Sequence, residues 1–160
     1  MLISYIVMFL LVLADYLLKL LFSNMYALNQ IQEIFPGVLK LGYIQNYGAS
    51  FGLLEGQQFL FFIITLIALV IFGYFFSKSD WKTKFIYTLA FVFLISGTLG
   101  NAIDRVLYGY VIDYIQIPLL PFVGNTYFNL ADALLNVGIV LLFIELLILE
   151  PIRIKKTKEK

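Results

Sequence analysis

The sequence contains no cysteine and no histidine, and only 13% of its 160 residues are charged. Without cysteine there is no disulfide to staple the fold, and no thiolate to act as nucleophile or metal ligand. Without histidine there is no imidazole for a zinc site and no base for a Ser-His-Asp triad. The available chemistry is that of carboxylates, hydroxyls, amides, lysine and arginine, and neither a metal nor a cofactor is expected. A net charge of +1 gives no reason to expect a nucleic-acid partner.

What fills the sequence instead is apolar: 62% of the residues are hydrophobic, whereas a soluble domain has about half apolar and about a quarter charged residues. This excess is too large for one small water-soluble core and must face lipid. A helix needs about 20 predominantly apolar residues to cross a bilayer, and four segments qualify: 2–22, 59–76, 85–103 and 127–149. The chain is expected to be an all-α polytopic membrane protein of one domain over residues 1–152, followed by a basic tail at 153–160. The first segment has no basic n-region and carries Asp15 and Lys19 in its centre, so it is expected to be a retained helix, not a cleaved leader.

Orientation follows the basic residues. Lys78, Lys82 and Lys84 lie between the second and third segments, and Arg153, Lys155, Lys156, Lys158 and Lys160 lie in the tail. They are most of the eleven Lys and Arg, and an even number of spans puts both groups on one side. Both termini are expected to be cytoplasmic, with residues 23–58 and 104–126 facing outward. The first outer loop is long for a helical bundle. Val38, Leu39, Leu41, Tyr43 and Ile44 suggest a short strand or two there, after the Pro36-Gly37 turn. The tail from Arg153 is expected to be disordered, close to anionic headgroups.

Polar residues inside such segments are costly and mark candidate sites. Asp15 and Lys19 are four apart and share a helix face. They read either as an ion pair that positions the first helix or as a contribution of Lys19 to a substrate site. Asn101, Asp104 and Arg105 share a face at the end of the third segment, where the neighbouring Asp-Arg pair is most simply structural. Asp113, between Val111, Ile112 and Ile115, has nothing nearby in sequence to neutralise it, and burial there raises a carboxyl pKa. Asn129, Asp132 and Asn136 share one face of the fourth segment, a stripe that serves equally as helix-helix glue or as a site. Asp113 and Asp132 both fall at the outer ends of their segments. Two carboxylates brought within hydrogen-bond range share one proton, so that one activates water and the other polarises a carbonyl.

Four ordered blocks carry a resemblance to a known family: Asp15-Tyr16-Leu17-Leu18-Lys19; Asn46-Tyr47-Gly48-Ala49-Ser50-Phe51-Gly52; Gly100-Asn101-Ala102-Ile103-Asp104-Arg105 with Val111-Ile112-Asp113-Tyr114; and Phe128-Asn129-Leu130-Ala131-Asp132. In this order they resemble lipoprotein signal peptidase (signal peptidase II), over essentially the whole chain. The resemblance implies a catalytic dyad at Asp113 and Asp132. It implies substrate-binding or supporting roles for Asp15, Lys19, Asn46, Gly48, Asn101, Asp104, Arg105 and Asn129. It further implies four membrane helices, a small extracytoplasmic β-cradle and a short amphipathic helix. The implied substrate is a diacylglyceryl-modified prolipoprotein, cut just before its lipidated Cys, and a monomer among membrane lipids can carry the whole site. Asn46 is expected to donate to substrate carbonyls. Ser50, Tyr114, Tyr16-Leu17-Leu18 and Ala133 depart from the family's usual residues, and none of them is a carboxylate.

Three other readings compete. A small transporter or channel could use Asp15, Asp132 and Glu145, but the candidate carboxylates cluster at one end and no inverted repeat is visible. A scaffold without chemistry would use the polar residues only to lock helices. A Ser-Lys hydrolase would pair Lys19 with Ser50 or Ser96, neither of which has an evident base beside it.

Overall fold

The computed structural model of the chain describes residues 1–48, 56–121 and 124–158. Four helices are long and apolar enough to cross a membrane. They are α1 (Leu2–Met25), α2 (Gln58–Phe76), α3 (Phe85–Tyr108) and α4 (Leu130–Ile144), the last continuing through a π-helical turn (Glu145–Leu149) into α5 (Glu150–Lys158). A three-stranded antiparallel sheet in the order β1 (Ile31–Phe35), β2 (Leu39–Asn46), β3 (Val111–Gln116) joins one end of the bundle. The short amphipathic helix implied by the resemblance is not among the described residues of the outer loops.

Each boundary has a local cause. Gly109 ends α3 in the left-handed conformation at φ 79°, its N–H returning to the Arg105 carbonyl. The third helix therefore runs to Tyr108, five residues beyond the end expected at Ile103. Asn129 starts α4 as an N-cap: its side chain accepts from the Asp132 N–H, and the Asp132 side chain accepts from the Asn129 N–H. At the other end of α4, Pro151 lacks the N–H that would bond back one turn, and the helix loosens into i→i+5 spacing just before it. The tail from Arg153, expected to be disordered, is instead helical as far as Lys158. Arg153 Nη1 pairs with the buried Glu145 at 2.8 Å across the π-turn, which ties this last helix to the bundle.

The third helix is the centre of the packing. It is buried along most of its length, whereas α2 buries only Phe61 and Phe76 and exposes Phe59, Phe62, Ile67 and Val70. Exposed apolar side chains of this density on a helix mark a lipid-facing surface. Away from the sheet, Met8, Phe76, Phe91, Val92 and Leu94 form the apolar core. Where α3 meets α4 the contact depends on small residues, as membrane helices require for close approach. A Cβ on Gly97 would lie 2.5 Å from the Ala131 carbonyl oxygen and 2.8 Å from Leu135 Cγ. A Cβ on Gly100 would lie 2.6 Å from Asp15 Oδ2.

Gly97→Ala is therefore expected to force α3 and α4 apart and to destabilise the fold by about 1–3 kcal/mol, the usual cost of overpacking. Gly73→Ala, at a position with open space around it, is the control. Thermal unfolding in detergent checks both, and equal midpoints for the two variants would contradict the packing account.

Candidate active site

The sheet and the start of α4 place two carboxylates on one residue. Asp113 is the third residue of β3 and only 2% exposed. On the neighbouring strand Asn46 stands opposite Val111, and residues two apart on a strand share a face, so its amide reaches Asp113 diagonally. Asn46 Nδ2 donates to Asp113 Oδ2 at 2.9 Å, and Asn129 Nδ2 donates to Asp113 Oδ1 at 2.7 Å. Asp132 sits in the first turn of α4. Its Oδ1 accepts from Asn101 Nδ2 at 2.7 Å and its Oδ2 from the Asn129 backbone N–H at 3.3 Å. Asn129, wholly buried, thus holds Asp113 through its side chain and Asp132 through its main chain.

Burial, and then the negative charge of Asp132, push the Asp113 carboxyl up to about 7. The Asn46 and Asn129 amides act in the opposite direction, because donors to a carboxylate favour its ionised form.

Behind the pair lies a buried polar network. Lys19 Nζ forms ion pairs with Asp15 Oδ2 at 2.8 Å and Asp104 Oδ2 at 3.0 Å, and donates to Asn101 Oδ1 at 3.0 Å. Asp15 Oδ1 accepts from the Ala131 N–H at 2.8 Å, and Asp104 Oδ2 accepts from the Ile112 N–H at 3.0 Å. The first turn of α4 is therefore satisfied from three directions: Leu130 N–H by the Tyr114 hydroxyl, Ala131 N–H by Asp15, and Asp132 N–H by Asn129.

In front of Asp132 a cavity of about 670 Å³ opens between α2, α3 and α4. Asn46, Gly48, Asn101, Arg105 and Asp132 line its polar end, and Ile64, Ala68, Phe72 and Leu135 line its apolar length. The Arg105 guanidinium lies 4.5 Å from the centre of the Phe61 ring and donates Nη2 to the Gly48 carbonyl at 3.3 Å.

All ten residues singled out in the sequence meet in this one region. Lys19 is only 1% exposed and engages the network through two ion pairs and one hydrogen bond, which corresponds to the ion-pair reading of Asp15 and Lys19. Asp104 and Arg105, neighbours in sequence, act separately: Asp104 on Lys19 and β3, Arg105 on Phe61 and Gly48. Asn46, expected to donate to substrate carbonyls, has its amide N–H on Asp113, and its Oδ1 accepts from the Gly48 N–H. Ser96 donates back to the Val92 carbonyl within its own helix; Ser50 lies outside the described residues. Glu145 is at the opposite end of α4, paired with Arg153. Two contributors were given no site role from the sequence. Tyr114 stacks on Phe22 at 4.3 Å and uses its hydroxyl on the α4 N-terminus, and Phe61 lies beneath Arg105.

A family profile described as signal peptidase (SPase) II matches residues 7–148. A lipoprotein signal peptidase of Latilactobacillus sakei is 37% identical over 92% of this chain and 96% of its own length. One from Streptococcus agalactiae serotype Ia is 38% identical over 88% of this chain and 89% of its own length. A solved bacterial membrane enzyme superposes with a TM-score of 0.79 at 35% identity, covering 91% of this chain and 92% of the other. The chain belongs to the signal peptidase II family.

Proposed function

We propose that this chain is an aspartyl endopeptidase that removes signal peptides from diacylglyceryl-modified prolipoproteins, cutting just before the lipidated Cys. The observation that carries the proposal is the pair Asp113 and Asp132, both held on Asn129, with Asp132 at the polar end of a largely apolar cavity. The relatives' activity on lipoproteins supports the choice of substrate.

In this mechanism the pair enters the reaction with one proton. The ionised member takes a proton from a water molecule as the water oxygen attacks the scissile carbonyl carbon. The protonated member gives its proton to the carbonyl oxygen, and a tetrahedral intermediate forms. On collapse the C–N bond breaks, and the leaving nitrogen receives the proton first taken from water. The products are a signal peptide with a free carboxyl and a lipidated Cys with a free amine. Asn46, Asn101 and Asn129 hold the two carboxylates in register, and Lys19, Asp15 and Asp104 hold those amides and the start of α4. Arg105 and Gly48 form the rim over which the substrate enters.

The orientation proposed here puts Lys78, Lys82, Lys84 and the tail in the cytoplasm and the sheet on the outer face of a bacterial plasma membrane. A lipidated substrate then reaches the cavity sideways from the bilayer. The chain acts as a monomer, since every proposed site residue comes from one copy. A transporter reading is less favoured, because Glu145 is paired at the far end of α4, well away from the other buried carboxylates.

Purified protein in detergent, given a synthetic diacylglyceryl prolipoprotein, is expected to cut before the modified Cys. Asp113→Asn and Asp132→Asn, folded as wild type, are each expected to lose at least about a thousandfold in kcat. Near-normal activity in either variant would exclude the dyad.

The pH dependence follows from the shared proton. Activity is expected to fall as pH rises through about 7, where Asp113 gives up its proton and both members become ionised. Asn46→Ala removes a donor that stabilises the ionised form, so the protonated form gains and the alkaline limb moves to higher pH, by about one unit for a charge-assisted hydrogen bond. A limb that stays in place or moves down in this variant would show that Asn46 does not set the proton affinity of the pair.

A further inference from the structure

The cavity contains three polar side chains below the dyad. Asn136 follows Asp132 by four residues on α4 and lies about 6 Å deeper, at ~1.5 Å of rise per residue. Thr98 precedes Asn101 by three residues on α3, and Thr65 follows Phe61 by four on α2. All three line the cavity together with Ile64, Ala68 and Leu135. Asn101 is hydrogen-bonded to Asp132, and Phe61 lies under Arg105 one turn above Asn101. The three polar groups therefore fall between the level of Asp132 and one turn beneath it.

Polar residues in membrane helices usually bond across to a neighbouring helix. These do not. Asn136 Nδ2 donates to the Asp132 carbonyl of its own helix at 2.9 Å, and Thr98 Oγ1 donates to the Leu94 carbonyl of its own helix at 2.7 Å. Thr65, the only hydroxyl in the first three turns of α2, has no hydrogen-bond partner among the described residues, and none of them donates to Asn136 Oδ1. The cavity is thus supplied with the Asn136 amide oxygen, the Thr65 hydroxyl and the remaining acceptor capacity of Thr98 Oγ1, none of which the described residues use.

A signal peptide that crosses the bilayer as a helix hides its carbonyls in i→i+4 hydrogen bonds. Attack on a scissile carbonyl requires the turn before it to unwind, and each backbone group freed in a water-poor region costs several kcal/mol unless it finds a partner. We propose that Asn136, Thr65 and Thr98 form a subsite that takes the backbone N–H and C=O groups of the signal peptide's unwound turn, just ahead of the scissile bond. Asn136 Oδ1 accepts a peptide N–H, the Thr65 hydroxyl donates to a peptide carbonyl, and Thr98 Oγ1 accepts with its remaining lone pair. Specificity at these positions then depends on backbone groups and leaves the side chains free to vary. The inference rests on the peptidase reading above and adds to it where the unwound substrate is held.

The test replaces single amides by esters in a synthetic diacylglyceryl prolipoprotein, at each of the residues preceding the Cys, which deletes one N–H at a time. With wild-type enzyme in detergent, one ester is expected to lower kcat/KM roughly three- to tenfold, the effect of one hydrogen bond. The same ester is expected to have no effect on Asn136→Leu, which already shows that loss with the all-amide substrate. Thr65→Val, nearly isosteric and therefore safe for the fold, is expected to lower kcat/KM to a similar extent, with the alkaline limb of the pH profile unmoved. Equal ester effects in wild type and Asn136→Leu, or none in either, would overturn the subsite while leaving the peptidase intact. An enzyme that fails to cut the all-amide substrate would overturn the peptidase reading and this inference with it.

Discussion

The ammonium group of Lys19 is the interaction on which the rest of the structure depends. It is enclosed at the sheet end of a bundle made largely of apolar side chains, where an unpaired charge cannot persist. Each of its three acceptors performs a second task. Asp15 caps Ala131 on α4, Asp104 holds the Ile112 N–H beside Asp113, and Asn101 passes its own amide to Asp132. One buried cation thereby fixes α1, α3, β3 and α4 relative to one another. Losing one partner of such a buried pair costs about 3–5 kcal/mol. Here the loss would also leave two carboxylates facing each other and three further hydrogen bonds without anchors.

Packing and electrostatics depend on each other at this point. Asp15 reaches the N-terminus of α4 because Gly100 has no side chain in its path, and α3 approaches α4 because Gly97 leaves room for the Ala131 carbonyl. The first turn of α4 carries the positive end of the helix dipole, which favours the carboxylates gathered around it. With those N–H groups taken by Asp15, Asn129 and Tyr114, the turn is rigid, and Asp132 faces the cavity from a fixed backbone. In the proposed mechanism this rigidity holds two carboxylates close enough to share a proton, although separation would lower their repulsion.

The four helices and the strand signals of the first outer loop were legible because they are local: apolar runs of membrane length, and β-formers after Pro36-Gly37. The polar residues that meet at the site could be chosen from sequence because each is costly in its own segment. Their partners could not be found the same way. Lys19 and Asn101 are separated by 82 positions, and Asp15 and Ala131 by 116, so no periodicity links them. Asp113 showed no partner nearby in the sequence because the amides that hold it, on Asn46 and Asn129, come from β2 and the start of α4. Phe61 carried no signal and Tyr114 only its place in a motif block, since what sets them apart is a ring meeting a guanidinium and a hydroxyl meeting a helix end. The tail misled for the opposite reason. Its lysines suggested disorder, while a contact that ties it to the bundle, Arg153 with Glu145, spans a π-turn that only Pro151 foreshadowed.

The central claim is that Asp113 and Asp132 share one proton at neutral pH. Infrared difference spectroscopy of wild type against Asp113→Asn in detergent, followed through neutral pH, addresses it directly. The account predicts one protonated-carboxyl band in the wild type that is absent from the variant and that disappears as pH rises through about 7. A difference spectrum with no such band, or a band that disappears near the ordinary carboxyl range of about 4, would contradict the shared proton and the mechanism built on it.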